Sequence, residues 1–281
     1  MSGGRLVVCP TPIGNLEDIT LRVLASLREA DVIAAEDTRH TRTLLDRYGV
    51  SAPLVSYHEH NEERRAAELV TRMRSGDVVA LVSDAGMPLI SDPGYVLVRA
   101  CVAAGLAVEV LPGPSAALTA LVASGLPSDS WRFVGFLPRK KGELRKVLAG
   151  PGAGTLVAFE SPKRVPATLA VMAELDPERE VVVARELTKL HEEIVRGSAA
   201  ELAARYADAP PRGEVVLVIA PAAAPEAGDA PADHAVAAVR RLVDAGAKPR
   251  AAASVVAELT GTSANALYRT LTETSRSDTG T

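Results

Sequence analysis

The chain has 281 residues, 47% of them hydrophobic, which is enough to bury a core and near the upper limit for a single one, so two domains are expected. A net charge of −4 and a pI near 5.8 exclude a polycation that coats nucleic acid by charge alone, and leave any such contact to a local basic patch. Cys9 and Cys101 lack metal-ligand spacing and no apolar run suits a signal core or a membrane span, so a soluble, unprocessed protein of the reducing cytoplasm is expected.

In chain order, "RLVVCP" reads as a strand, "LRVLASLREA" as a helix, "DVIAAED" as a strand, and "TRTLLDRYG" and "AAELVTRMRSG" as helices. "DVVALVSD" and "AVEVLPG" are the next strands, with "YVLVRACVAAG" between them as a helix. This alternation predicts an α/β fold, a mostly parallel sheet covered by helices on both faces. "PSAALTALVASG" is a helix opened by Pro114 and Ser115 and closed by Gly125, and "GLPSDSWRF" after it breaks the pattern. A second series follows: "RFVGFL", "TLVAFES", a helix containing "VPATLAVMAEL", then "EVVVARELT" and "GEVVLVIAP". The resulting division is a first α/β domain over residues 1–120 and a second over 121–221. Residues 222–233, rich in Ala and Pro, form an expected flexible linker, and 234–275 a helical, helix-turn-helix-like module.

Three turns rich in Gly or Pro fall at the carboxyl ends of strands: "PTPIGNLEDIT", "SDAGMP" and "PGPSAA". Ligands of open parallel sheets bind there, because turns and helix N-termini gather backbone N–H groups at that edge. Glycine admits close approach and proline fixes the turn, so the three together predict a rigid pocket, although any one of them alone would be an ordinary turn. None is a phosphate loop: G-x-x-x-x-G-K-[ST] and G-x-G-x-x-G are both missing, which argues against a triphosphate or NAD. Carboxylates such as Asp84 with little cationic charge suit a ligand with a positive or neutral centre, such as S-adenosylmethionine. The second turn of "LVSDAGMPLISDPG", through Asp92 and Gly94, reads as the capped start of the next helix.

"PTPIGNLEDIT", "AEDTRHTRTLL", "LVSDAGMPLISDPGY", "LPGPSAALTALVASGLPSD", "FVGFLPRK", "FESPKR" and "ARELTKLHEE", in this order, resemble the ribosomal RNA small subunit methyltransferases of the tetrapyrrole methylase-like class. The resemblance spans essentially the whole chain. It implies a homodimer of two-domain α/β subunits, with S-adenosylmethionine in the cleft between the domains. The implied reaction is 2′-O-methylation of a cytidine in the decoding region of 16S rRNA, with the small ribosomal subunit as the substrate particle. By the same resemblance, Pro12, Gly14 and Asn15 match the first cofactor-side loop, Ser83, Asp84, Gly86 and Met87 the second, and Ser115, Ala116 and Ala117 the third. Glu160 and Leu187 match positions that close the cleft from the second domain. Met87 stands where this family has Thr, which removes a side-chain hydroxyl contact there.

Methyl transfer to a ribose hydroxyl needs oxygen, carbon and sulfur held in line, and a group to take the hydroxyl proton. "AEDTRHT" places Asp37 and Arg39 at the end of the second strand, where Asp37 is a candidate base and Arg39 a candidate phosphate clamp. The competing reading is that Asp37 or Thr38 caps the following helix. His58 and His60 stand two apart, which does not make a paired ligand face on a helix, so no metal site is expected. Arg139, Lys140, Lys141 and Arg145 in "PRKKGELRK", with Lys163, Arg164 and Lys189, are the candidate RNA-binding cations. Aromatic residues make up only 3%, so recognition leans on phosphate, sugar and shape. Two other readings fit the pattern: a tetrapyrrole C-methyltransferase of the same fold, and a ribosome-assembly module that binds cofactor and RNA without turnover.

Overall fold

Four-residue apolar runs such as Val32–Ala35, buried at every position, form strands that are covered on both faces, as parallel sheets require. The computed structural model describes residues 3–149, 154–222 and 233–277. Its first sheet comprises β1 (Arg5–Val8), β2 (Val32–Ala35), β3 (Leu54–Ser56), β4 (Val78–Val82) and β5 (Ala107–Val110), in the order β3-β2-β4-β1-β5. Every pairing is parallel. Alternation along the strands sends Val7, Ile33, Ala80 and Val82 to the face covered by α1 (Leu21–Glu29) and α2 (Thr38–Arg47). Leu6, Val8, Val32 and Leu81 go to the face covered by α3 (Glu62–Arg74) and α4 (Tyr95–Ala103). Sequence patterning missed β3, whose three residues are only half buried and give too short an apolar signal.

The second sheet comprises β6 (Trp131–Phe136), β7 (Thr155–Glu160), β8 (Glu180–Arg185), β9 (Glu193–Ser198) and β10 (Val215–Ile219), in the order β6-β7-β10-β8-β9. Only β6 and β7 run parallel; the other pairs are antiparallel. One face packs on α6 (Lys141–Ala149), α7 (Val165–Leu175) and α8 (Ala199–Tyr206), through Leu144, Leu148, Leu169, Met172 and Leu202. α8 opens with a full capping box, Ser198 and Glu201 each bonding the other's backbone N–H.

The other face holds α5 (Ala116–Ser124), whose Ala117, Ala120 and Leu121 pack on Val157, Val182, Ala184, Val216 and Val218. The division anticipated at residues 120 and 121 therefore falls inside a helix, and that helix leaves the first sheet to cover the second. The break in patterning follows α5 because Gly125, left-handed at φ 77°, ends it. Arg196 on β9 fixes that end by donating from Nε to the Ser124 carbonyl at 3.0 Å.

Residues 1–222 form one compact unit and 223–281 another. In the second, α9 (Asp233–Asp244), α10 (Pro249–Thr260) and α11 (Ala264–Ser277) share a core of Ala235, Val239, Ala252, Ala253, Val256, Leu267 and Leu271. Apart from residue 222 and the first residue of α9, the expected linker lies outside the described residues.

Candidate active site at the carboxyl edge of the first sheet

The loops after β1, β4 and β5 meet at one edge. The first two are laced together: the Thr11 and Gly86 N–H groups donate to each other's carbonyls at 2.9 and 3.0 Å, and the Thr11 hydroxyl donates to the Ser83 carbonyl at 3.0 Å. Gly86 sits at φ 79°, where a Cβ would stand 3.3 Å from Ile13, so the turn needs glycine for both conformation and space. Ser115 caps α5, its hydroxyl accepting from the Leu118 N–H.

These loops form one wall of a cavity of about 360 Å³. Ile13, Ala85, Gly86, Met87, Ile90, Ser91, Asp92, Ser115 and Ala116 line it from the first half. Phe136, Phe159, Glu160, Ser161, Pro162, Leu187 and Gly213 to Val216 line it from the second. The size and mainly apolar lining are those of a small-molecule site.

Of the expected cofactor residues, Gly86, Met87, Ser115 and Ala116 line the cavity from the first half, and Glu160 and Leu187 from the second. Pro12, Gly14, Asn15, Ser83, Asp84 and Ala117 stand behind or beside it. Pro12 and Ser83 are buried, and Ala117 belongs to the core beneath α5. Gly14 and Asn15 join the two halves. A Cβ at Gly14 would meet Thr188 Oγ1 at 2.8 Å and the Leu187 carbonyl at 2.9 Å, and the Asn15 N–H donates to the Thr188 hydroxyl at 3.0 Å. Asp84 likewise holds structure, accepting the Asp37 N–H at 3.0 Å.

Among the described residues, Leu89 (φ 73°), Ser91 (φ 68°), Glu186 (φ 52°) and Thr188 (φ 66°) are the non-glycine residues with positive φ. Each neighbours a lining residue: the first two flank Ile90 on one lip, the others flank Leu187 on the opposite lip. Such conformations cost on the order of 1–3 kcal/mol each and persist where the surroundings over-determine them, typically at ligand sites.

Among the described residues, no Lys, Arg or His lines the cavity, whereas Asp92, Glu160 and Glu214 do. Glu160, with its side chain 0% exposed, pairs with Arg164 at 3.2 Å. It also accepts from the Thr168 hydroxyl and the Ser161 N–H, each at 2.7 Å. Glu214 pairs with Lys189 at 3.0 Å. Asp92 differs: burial first, then the charges of Glu36 and Asp84, push its carboxyl up to about 6 against a bond from Ser83. Glu36 is raised too, by burial and then by Asp84. The wall thus suits an apolar ring system carrying a cationic centre and repels phosphate, which is the character of a sulfonium cofactor such as S-adenosylmethionine.

The anticipated helix start at Asp92 is a correction. α4 is capped by Gly94 at φ 140°, without a side-chain bond, and Asp92 faces the cavity. Asp37 takes the capping alternative: its carboxylate accepts the Arg39 N–H at 2.8 Å and pairs with the Arg39 guanidinium at 2.9 Å. Those bonds from Arg39 hold the Asp37 carboxyl down to about 2, a poor proton acceptor near neutrality. Neither residue lines the cavity, and Arg39 is 90% exposed. The His58 and His60 rings meet edge to face at 5.9 Å.

The expected RNA-binding cations separate into two groups. Lys141 and Arg145 are both bonded to Glu174, Lys140 to Glu143, and Lys189 to Glu186 and Glu214. Arg164 is structural: besides Glu160, it donates to the carbonyls of Leu137 and Pro138 at 2.9 and 2.8 Å. Arg139 and Lys163 are exposed and have no ion-pair partner among the described residues. Both belong to the loops that Arg164 ties together beside the lining residues Phe136 and Pro162. Sequence reasoning marked the turn that holds Ile13 but not that side chain, and did not select Phe136, Phe159 or the 213–216 segment for the site, which the fold brings to the cleft.

Residues 5–203 match the family of Tetrapyrrole (Corrin/Porphyrin) Methylases. The chain is 48% identical to the ribosomal RNA small subunit methyltransferase I of Mesorhizobium japonicum, over 95% of this chain and 91% of the relative. It is 46% identical to that of Thermotoga maritima, over 77% of this chain and 98% of the relative. A solved uroporphyrin III C-methyltransferase from Thermus thermophilus, complexed with S-adenyl homocysteine, is 22% identical with a TM-score of 0.54, covering 77% of this chain and 97% of its own. That likeness carries the fold alone. The sheet architecture, the cleft and the sequence identity agree: this chain is a methyltransferase of the tetrapyrrole methylase family, in the branch of the ribosomal RNA small subunit methyltransferases I.

Proposed function

We propose that the chain uses S-adenosylmethionine to methylate the 2′-hydroxyl of a cytidine in the decoding region of 16S rRNA, acting in the cytoplasm on the small ribosomal subunit. The observation that carries this reading is identity of 48% across 95% of the chain to a relative named for that class of substrate. The cation-free, carboxylate-bearing cleft supports the cofactor. Gly86, Met87, Ser115, Ala116 and Leu187 would contact it directly, with Glu160 keeping the opposite lip in place. When bound, the cofactor supplies an electrophilic methyl group; the protein's part is to hold the acceptor oxygen in line and remove its proton.

Arg139 and Lys163 are the phosphate contacts in this reading, while Lys140, Lys141, Arg145, Arg164 and Lys189 maintain the surface that presents them. Exposed Val102 on α4, Val110 on β5 and Val122 on α5 support a homodimer, because apolar side chains of that size seek cover. The test incubates purified protein and labelled S-adenosylmethionine with small subunits from cells lacking the modification, alongside uroporphyrinogen as a competing acceptor. Label recovered as 2′-O-methylcytidine is the expected result. Label only in the tetrapyrrole would move the assignment to C-methylation.

A further inference from the structure

Among the described residues, three carboxylates line the cleft, and two are already committed. Both oxygens of Glu160 are engaged, by Ser161, Thr168 and Arg164. Glu214 is ion-paired with Lys189, its side chain 74% exposed, so it offers neither a dry site nor a free proton position. Asp92 remains. It carries no ion pair among the described residues, and the residue after it is Pro93, whose nitrogen has no hydrogen to donate.

Resting on the methyl-transfer reading above, we infer that Asp92 is the group that takes the proton from the ribose 2′-hydroxyl. The loop holds it in place on both sides. Leu89 and Ser91 are left-handed, and Gly94 at φ 140° packs so tightly that a Cβ there would meet Leu89 at 2.7 Å. The charged groups that act on Asp92 are Glu36, beyond the end of β2, and Asp84, beyond the end of β4, while the nearby Ser83 hydroxyl donates to the Gly86 carbonyl. His58 and Asp37 act on Glu36 in turn. These acidic neighbours and the burial keep the carboxyl near 6, close to the value at which a general base is both ionised and basic.

The step balances without another reagent. The hydroxyl oxygen forms its bond to the methyl carbon, the electron pair of the broken sulfur–carbon bond stays on sulfur, and the hydroxyl proton passes to an Asp92 carboxylate oxygen, which later releases it to water.

The experiment compares wild type with Asp92→Asn in single turnovers on small subunits as pH is varied, with cofactor affinity measured calorimetrically. Expected, with cofactor held saturating at its measured affinity for each protein, are a rate loss of about 10²–10⁴-fold in Asp92→Asn and a wild-type rate that rises to a plateau above about pH 6 while the variant's profile is flat. A second readout needs no cofactor: the urea midpoint of the free wild-type protein rises between about pH 7 and pH 5, and that of Asp92→Asn does not. An active wild type with an equally active variant, or with identical pH profiles, overturns the inference alone. A wild type that binds cofactor yet labels no RNA overturns the functional reading, and this assignment with it.

Discussion

Replacing Glu160 by alanine strips Thr168 and Arg164 of a shared acceptor at a position with no exposed side-chain surface. Removing one member of a buried charge pair costs about 3–5 kcal/mol. Because Arg164 keeps some exposure and its two carbonyl partners, the lower end of that range is expected in urea denaturation, with weakened cofactor binding. Asp92 acts in the opposite sense. Its carboxyl is raised from 3.8 to about 6, so its stabilising share is complete below the unfolded value and is lost as pH rises through the folded one. Asp92→Asn should therefore be more stable than wild type near pH 7, by about 1–2 kcal/mol after solvent screening, with the gap closing toward pH 4; equal midpoints at all pH values would contradict this. Such a trade of stability for a poised group is common at active sites. "SDPG" marked a helix start, but Asp92's place in the cleft was not legible, because Glu36 and Asp84 reach it only through the parallel pairing of β2 with β4. The partner of the basic run was hidden for a related reason: Glu174 on α7, far along the chain, pairs with Lys141 and Arg145.

At the scale of elements, α5 is the strut between the halves. Its N-terminal residues Ser115 and Ala116 line the cleft, while Leu121, 4% exposed, is set in the core against the second sheet. Leu121→Ala should cost about 2–5 kcal/mol and weaken cofactor binding more than an equally destabilising change in the α6–α8 face, as paired denaturation and calorimetry would show. The approach of the first loop to the second half is as specific. Gly14→Ala drives a methyl group against the Leu187 carbonyl and Thr188, where the backbone cannot yield cheaply; a loss of about 1–3 kcal/mol and a raised cofactor dissociation constant are expected. The buried strands of the first sheet were readable as unbroken apolar runs. β9 was not, because an edge strand with polar and half-buried positions lacks such a run, and the mixed pairing of the second sheet is set by connections that carry no local signal.

For the whole molecule, the chain divides into its two compact units between residues 222 and 223. The Thermotoga maritima relative, covered over 98% of its own length, accounts for only 77% of this chain, a share close to that of the first unit. A chain ending at residue 222 should fold and bind cofactor with wild-type affinity, which circular dichroism and calorimetry test directly. Whether its rate on small subunits falls then isolates the contribution of α9 to α11.

The cleft draws its walls from both sheets, and its four strained residues sit on both lips. A ligand seated there rivets halves that otherwise rely on contacts such as those of Gly14 and α5, adding stability in proportion to the logarithm of its concentration over its dissociation constant. Ligand-free chains are then the ones expected to be opened first by proteases, so limited proteolysis with and without S-adenosylhomocysteine should show protection that grows with its concentration.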